Sequence, residues 1–161
     1  DKDVVLSEIM IGVTAKGDPK PAIVAAAEFE AFEEASYDED TNTFIFPSTA
    51  KSYAGFGNTN TDLVPLKFDN GGCVTFNASA ETDLEVRFKF EKQAYPGNIP
   101  EMYTDWVTIS GPMQEYTVDV PASESVGNTY SSYLMFIGSG YKDLPVVVTD
   151  VVSTNTGSCG S

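Results

Sequence analysis

Polar and apolar residues alternate along most of this chain. Val86, Phe88 and Phe90 fall on one side of an extended segment, and Glu85, Arg87, Lys89 and Glu91 on the other. A period of two marks a strand with one buried face. Val74 and Phe76 alternate with Thr75 and Asn77, Val107 and Ile109 with Trp106 and Thr108, and Tyr116, Val118 and Val120 with Thr117 and Asp119. Further strands are predicted over Thr43–Phe46, Leu63–Phe68, Thr129–Ile137 and Pro145–Val152. Turn-forming clusters separate them: Asp69-Asn70-Gly71-Gly72, Pro96-Gly97-Asn98, Ser110-Gly111-Pro112 and Gly138-Ser139-Gly140. Many short strands at a spacing of about 8–12 residues predict an all-β fold, an antiparallel β-sandwich of jelly-roll type. The one helix candidate is Ala22–Ala35, whose alanines favour helix. Alternation over Glu28–Ala31 and the β surroundings tip it towards strand.

A chain of 161 residues fits one domain with a real core. Residues 22–152 are expected to form the sandwich. Residues 1–21 end in the linker-like Gly17-Asp18-Pro19-Lys20-Pro21. Their Lys2–Ile9 segment resembles Lys142–Val151, a charged lead-in followed by an apolar strand. It is either a first strand lying beside the last or the remnant of a preceding module. Residues 153–161 are rich in Ser, Thr and Gly and read as a tail or linker. The two cysteines, Cys73 and Cys159, match no metal-binding spacing. They are either two unpaired thiols or a disulfide that ties the tail to the body.

Charge and composition then narrow the function. With 9 Lys+Arg against 24 Asp+Glu, the net charge is −15. Nucleic acid and anionic membrane surfaces are poor partners for such a chain. The sequence has no His, which excludes Ser-His-Asp and Cys-His catalysis, His-ligated zinc and a histidine pH switch. No apolar run approaches the roughly 20 residues of a membrane span. The start at Asp1, without a signal peptide, reads as a mature fragment or an excised module. Carboxylate chemistry, calcium, or binding without chemistry remain. The scattered acids fall in no catalytic motif, so no enzyme activity is expected. Either a structural Ca²⁺ sits between the first and last strands, with Glu28 or Glu30 and Asp150 as oxygen donors, or Asp150 is simply an outward strand residue.

The aromatics carry more information. Tyr53, Phe56 and Asn58 lie in a Gly-rich stretch, Ser52–Asn58. Tyr95 and Tyr103 flank a long Pro/Gly loop. Trp106 alternates away from Val107 and Ile109, and Arg87, Lys89 and Glu91 share one polar strand face. Flat rings stack on the C–H faces of sugars while charged and amide groups bond the hydroxyls. Tyr53, Phe56, Asn58, Arg87, Lys89, Glu91, Tyr95 and Trp106 are therefore the candidate ligand-binding residues. If the rings instead pack against loops or a second layer, the chain is a structural or adhesion spacer.

Ordered blocks support the binding reading. Ser52-Tyr53-Ala54-Gly55-Phe56, Pro65-Leu66-Lys67-Phe68, Gly71-Gly72-Cys73-Val74-Thr75-Phe76, Val86-Arg87-Phe88-Lys89-Phe90-Glu91, Val107-Thr108-Ile109-Ser110-Gly111, Tyr116-Thr117-Val118-Asp119-Val120-Pro121 and Asn128–Met135 resemble a non-catalytic β-sandwich carbohydrate-binding module. Such modules are appended to marine bacterial family 16 glycoside hydrolases, the laminarinases. The resemblance spans about Phe32–Val152. It implies a secreted or cell-surface, monomeric module, joined to a catalytic domain of the same chain and binding a polysaccharide, β-1,3-glucan (laminarin) first. Agarose or another algal galactan is the second ligand, and the polyanion alginate the least expected. Two departures bear on the ligand: Tyr53 stands where the resemblance leads to Trp, and Trp106 where it leads to a small residue.

Overall fold

Alternation continues for twenty residues in the middle of the chain and produces its longest strand. In the computed structural model, which describes residues 26–122 and 126–160, this strand spans Gly72–Glu91. In chain order the strands among the described residues are β1 (Phe29–Phe32), β2 (Ser36–Asp38), β3 (Thr43–Ile45), β4 (Gly55–Asn58), β5 (Gly72–Glu91), β6 (Glu101–Tyr103), β7 (Val107–Val120), β8 (Ser132–Ile137) and β9 (Val146–Thr154). One 3-10 turn, Thr61–Leu63, joins them, and every strand pair is antiparallel. No helix among the described residues is long and apolar enough to cross a membrane.

The strand β5 belongs to two layers. Its first half lies between β9 and the second half of β7, with Val74 opposite Val118 on one side and Ser153 on the other. Its second half lies between β8 on one side and, on the other, β6 and the start of β7. The back layer therefore runs β2-β3-β9-β5-β7, and the front layer β1-β4-β8-β5 with β6 and β7 at the edge. The result is the antiparallel β-sandwich that the alternation predicts.

The core fills from both layers. Phe44 of the back layer meets Phe56 of the front edge-on at 4.8 Å. Within β5, Phe76 and Phe88 meet at 5.3 Å, and Phe90 stacks on Tyr133 at 4.6 Å. The buried Tyr133 hydroxyl is 2.6 Å from Ser153 Oγ, so a front strand and a back strand satisfy each other's buried oxygens. Burial raises the Tyr133 phenol above the ordinary tyrosine pKa, more than its bond to Ser153 lowers it.

Three expectations change, and the strand reading within Ala22–Ala35 holds in part. Leu63–Phe68 forms no strand; it contributes only the single bridge Leu66–Tyr130. Ser110-Gly111-Pro112 is not a turn between strands, because β7 passes through it; Gly111, at φ +76°, supplies the irregularity there. Of Ala22–Ala35, Phe29–Phe32 is a strand, while residues 1–25, including the expected first segment, lie outside the described residues. Residues 153–160 are not a free tail. Ser153 is buried within β9, Asn155 Nδ2 donates to the Lys67 carbonyl at 3.0 Å, and the Cys159 N–H donates to Asp119 Oδ1 at 2.7 Å.

The cysteines are paired, Cys73 with Cys159, across a separation of 86 residues. Closing so long a loop removes entropy from the unfolded chain, and such bonds typically stabilise by about 2–4 kcal/mol. Reduction, or Cys159→Ser, is therefore expected to lower the unfolding free energy by about 2–4 kcal/mol, read from urea midpoints. An unchanged midpoint would show that hydrogen bonds alone hold the last residues.

Candidate functional site

The outward positions of the front layer line up across its strands. Phe32 lies opposite Gly55, Phe136 opposite Arg87, and the Phe136 ring lies over Gly55, where a Cβ would meet it at 2.6 Å. Any side chain at position 55 would have to displace this ring. Phe32 meets Phe136 edge-on at 6.2 Å. Beyond Phe136 the Arg87 guanidinium lies 4.4 Å from the Trp106 ring and 4.0 Å from the Tyr103 ring. One row therefore reads Phe32, Gly55, Phe136, Arg87, Trp106. The next holds Gly57, Leu134, Lys89 and Tyr103.

A one-residue bulge brings Tyr103 and Trp106 to the same side. Residues three apart on a regular strand face opposite ways. Tyr103 lies opposite Lys89 and Val107 opposite Val86, so the edge uses four residues where β5 uses three. The extra residue re-aims the side chains after it. Thr104 holds the bulge closed: its N–H donates to the Phe88 carbonyl at 2.9 Å, and its Oγ1 accepts from the Phe88 N–H at 3.0 Å while donating to the Asp105 carbonyl at 3.0 Å. Trp106 stays 39 % exposed.

Two cations stand side by side on this face in different settings. Lys89 Nζ is 2.9 Å from Glu91 Oε2 and 3.1 Å from Glu101 Oε1. Burial disfavours the Lys89 ammonium, but hydrogen bonds to Glu91, Glu101 and Tyr103 outweigh it and raise its pKa. Burial would likewise raise the Glu101 carboxyl, yet bonds from Asn98 and Lys89 hold it below the usual range. Ser132 Oγ donates to Glu91 Oε1 at 2.8 Å. Arg87 has no such partner: among the described residues no carboxylate pairs with it, and its Nε is buried without a hydrogen bond.

Arg87, Lys89, Glu91 and Trp106 of the sequence candidates thus come together. Phe56 does not. It is 1 % exposed, packed in the core between glycines, and cannot meet a ligand. Asn58 serves the backbone: its Oδ1 accepts from the N–H groups of Glu28 and Asn60. Tyr53 and Tyr95 stand on separate loops, 61 % and 84 % exposed. Phe32, Leu134 and Phe136 were not among the candidates, because Phe and Leu in strands read as core. Tyr103 was noted only as flanking a loop, because the bulge that aims it leaves no local signature.

Glu28, Glu30 and Asp150 line one open depression of about 730 Å³, with Tyr37 and Glu39. Burial, and then Glu39, Asp38 and Glu28, raise the Tyr37 phenol. Asp150 Oδ2 accepts from Asn77 Nδ2 at 3.2 Å. Among the described residues no three acidic side chains lie close enough to hold a metal ion. The three expected donors share this depression.

No protein-family model matches the chain, and no curated protein matches it. Solved structures do. A family 29 carbohydrate-binding module from Piromyces equi shares 11 % identity at a TM-score of 0.52, over 84 % of this chain and 89 % of that one. A family 29 variant made to probe ligand recognition shares 11 % at 0.55, over 86 % and 94 %. Another, complexed with mannohexaose, shares 12 % at 0.53, over 82 % of each chain. At such identities the likeness is one of fold.

The Lys89 clamp predicts a pH dependence. A carboxyl with a depressed folded pKa adds stability above its unfolded value of about 4.3, and loses it as pH falls through the folded value. Glu101→Gln should cost about 1 kcal/mol at neutral pH, where the carboxylate bonds Lys89 and Asn98. The gap between variant and parent should close below about pH 4 as Glu101 protonates. Urea midpoints at both pH values measure it, and a gap independent of pH would place the loss elsewhere.

Proposed function

We propose that the front layer binds a polysaccharide and that the protein is a non-catalytic carbohydrate-binding module. One observation carries this reading: Trp106, the chain's only tryptophan, and Arg87, its only arginine, meet in line with Phe136 on an outward sheet face. Flat rings and fixed donors in a row suit a chain of sugar rings. Five strands at about 4.8 Å spacing give the row a length of about 19 Å, room for several sugars. A structurally similar module is complexed with mannohexaose, which supports the class of ligand.

The first ligand in this proposal is a β-1,3-glucan of laminarin type, on the strength of the ordered sequence blocks; a galactan such as agarose is second. The module would deliver an attached glycoside hydrolase domain to its substrate, since tethering raises effective concentration to the millimolar range. A secreted or cell-surface location fits the Cys73–Cys159 disulfide. No bond is broken in this reading. A glycosidase acid needs a raised pKa, whereas Glu101 is lowered by Asn98 and Lys89.

Affinity electrophoresis against laminarin, agarose, xylan and alginate tests the proposal, with reducing-sugar release as the control for hydrolysis. Laminarin should retard the protein without releasing sugar. Trp106→Ala should weaken binding about tenfold, the worth of one aromatic contact of about 1–2 kcal/mol. Indole emission should shift to the blue on titration. Retardation by none of the glycans, or full affinity in Trp106→Ala, would overturn the assignment.

A further inference from the structure

We propose that Arg87 forms a subsite for an oxyanion carried on the sugar chain, a uronate carboxylate or a sulfate ester. The inference rests on the front-face reading and adds the substrate class. Two cations alternate outward on β5, two residues apart. Lys89 is held by two carboxylates, so its charge is spent inside the protein. Arg87, on a chain of net charge −15, pairs with no carboxylate among the described residues. Its guanidinium faces two rings, which orient the plane without neutralising the charge. A planar, oriented guanidinium with no carboxylate partner among the described residues suits a two-point bond to an oxyanion.

The net charge sets the density of acidic groups the ligand carries. Long-range repulsion from an acidic surface is screened within about 8 Å at physiological salt, while the contact at Arg87 is short-range. One guanidinium reads one substituent. The fit is to a chain with isolated acidic groups, unlike alginate, in which every unit is charged.

Three laminarin oligosaccharide preparations of equal length test the inference by calorimetry: neutral, oxidised at C6 to the uronate, and sulfated. At least one anionic form should bind about tenfold more tightly than the neutral one, the gain of a charge-assisted bond over a neutral one. A gain in the oxidised arm alone assigns a uronate, and in the sulfated arm alone a sulfate ester. In Arg87→Gln the anionic and neutral forms should bind alike, whatever the variant's affinity for the neutral chain. Arg87→Lys, which keeps the charge but not the planar fork, should lose most of the gain. Neutral laminarin binding as tightly as both anionic forms would overturn the inference and leave the front-face reading standing. Binding of none of the three would overturn the glucan reading instead, and neutral against sulfated agarose oligosaccharides then repeats the comparison on a galactan. Equal affinities there, or no binding, would overturn the inference as well.

Discussion

A single strand serves both layers of this sandwich, and its two-residue period has to satisfy both at once. In β5 the even positions Val74, Phe76, Ala78 and Ala80 are buried in the first half, and Leu84, Val86, Phe88 and Phe90 in the second. The exposed Glu81–Asp83 between them mark the crossing without changing the parity. The odd positions must then face outward in both halves. Arg87 and Lys89 stand on the front face because Val86, Phe88 and Phe90 are needed inside. Strands on both sides of β5 pin its register, since a slip of one residue would turn all eight of these buried side chains outward.

That rigidity gives the front face its electrical character. Lys89 is anchored from its own strand by Glu91 and from the edge by Glu101. Asn98 adds the preceding loop to the same cluster. The edge strand β6 is short, and these contacts hold its side chains to the strand it pairs with. Tyr103 is shared: its ring lies 4.0 Å from the Arg87 guanidinium and 5.1 Å from Lys89 Nζ. Tyr103, bonded to Lys89, thereby also orients Arg87.

Much of this fold was legible in the chain. Alternation identified both halves of β5, β8 and β9 and the all-β class, because each buries one face along its length. It could not show that two predicted strands are one, since Glu81-Thr82-Asp83 looks like any polar turn. Cross-strand partners were illegible too, and the site is made of them. Phe136 joins Arg87 through register, information that no window of sequence carries. Phe56 misled for a related reason: it lies between Gly55 and Gly57, which have no side chains to reveal which face is inward. Position 106 was read correctly because Val107 and Ile109 after the bulge keep a clean period, whereas Tyr103 before it belongs to another count.

The bulge between Tyr103 and Val107 also has a consequence for how such a chain can change over generations. Spacing, more than residue identity, aims the indole. Asp105 is exposed and can be exchanged with little cost to the fold. Removing 104 or 105 would leave Tyr103 and Trp106 two apart, on one face of a regular strand without the bulge. The two rings can therefore keep their common face through point replacement at Asp105 or through loss of the extra residue, whereas four residues need the bulge to do so.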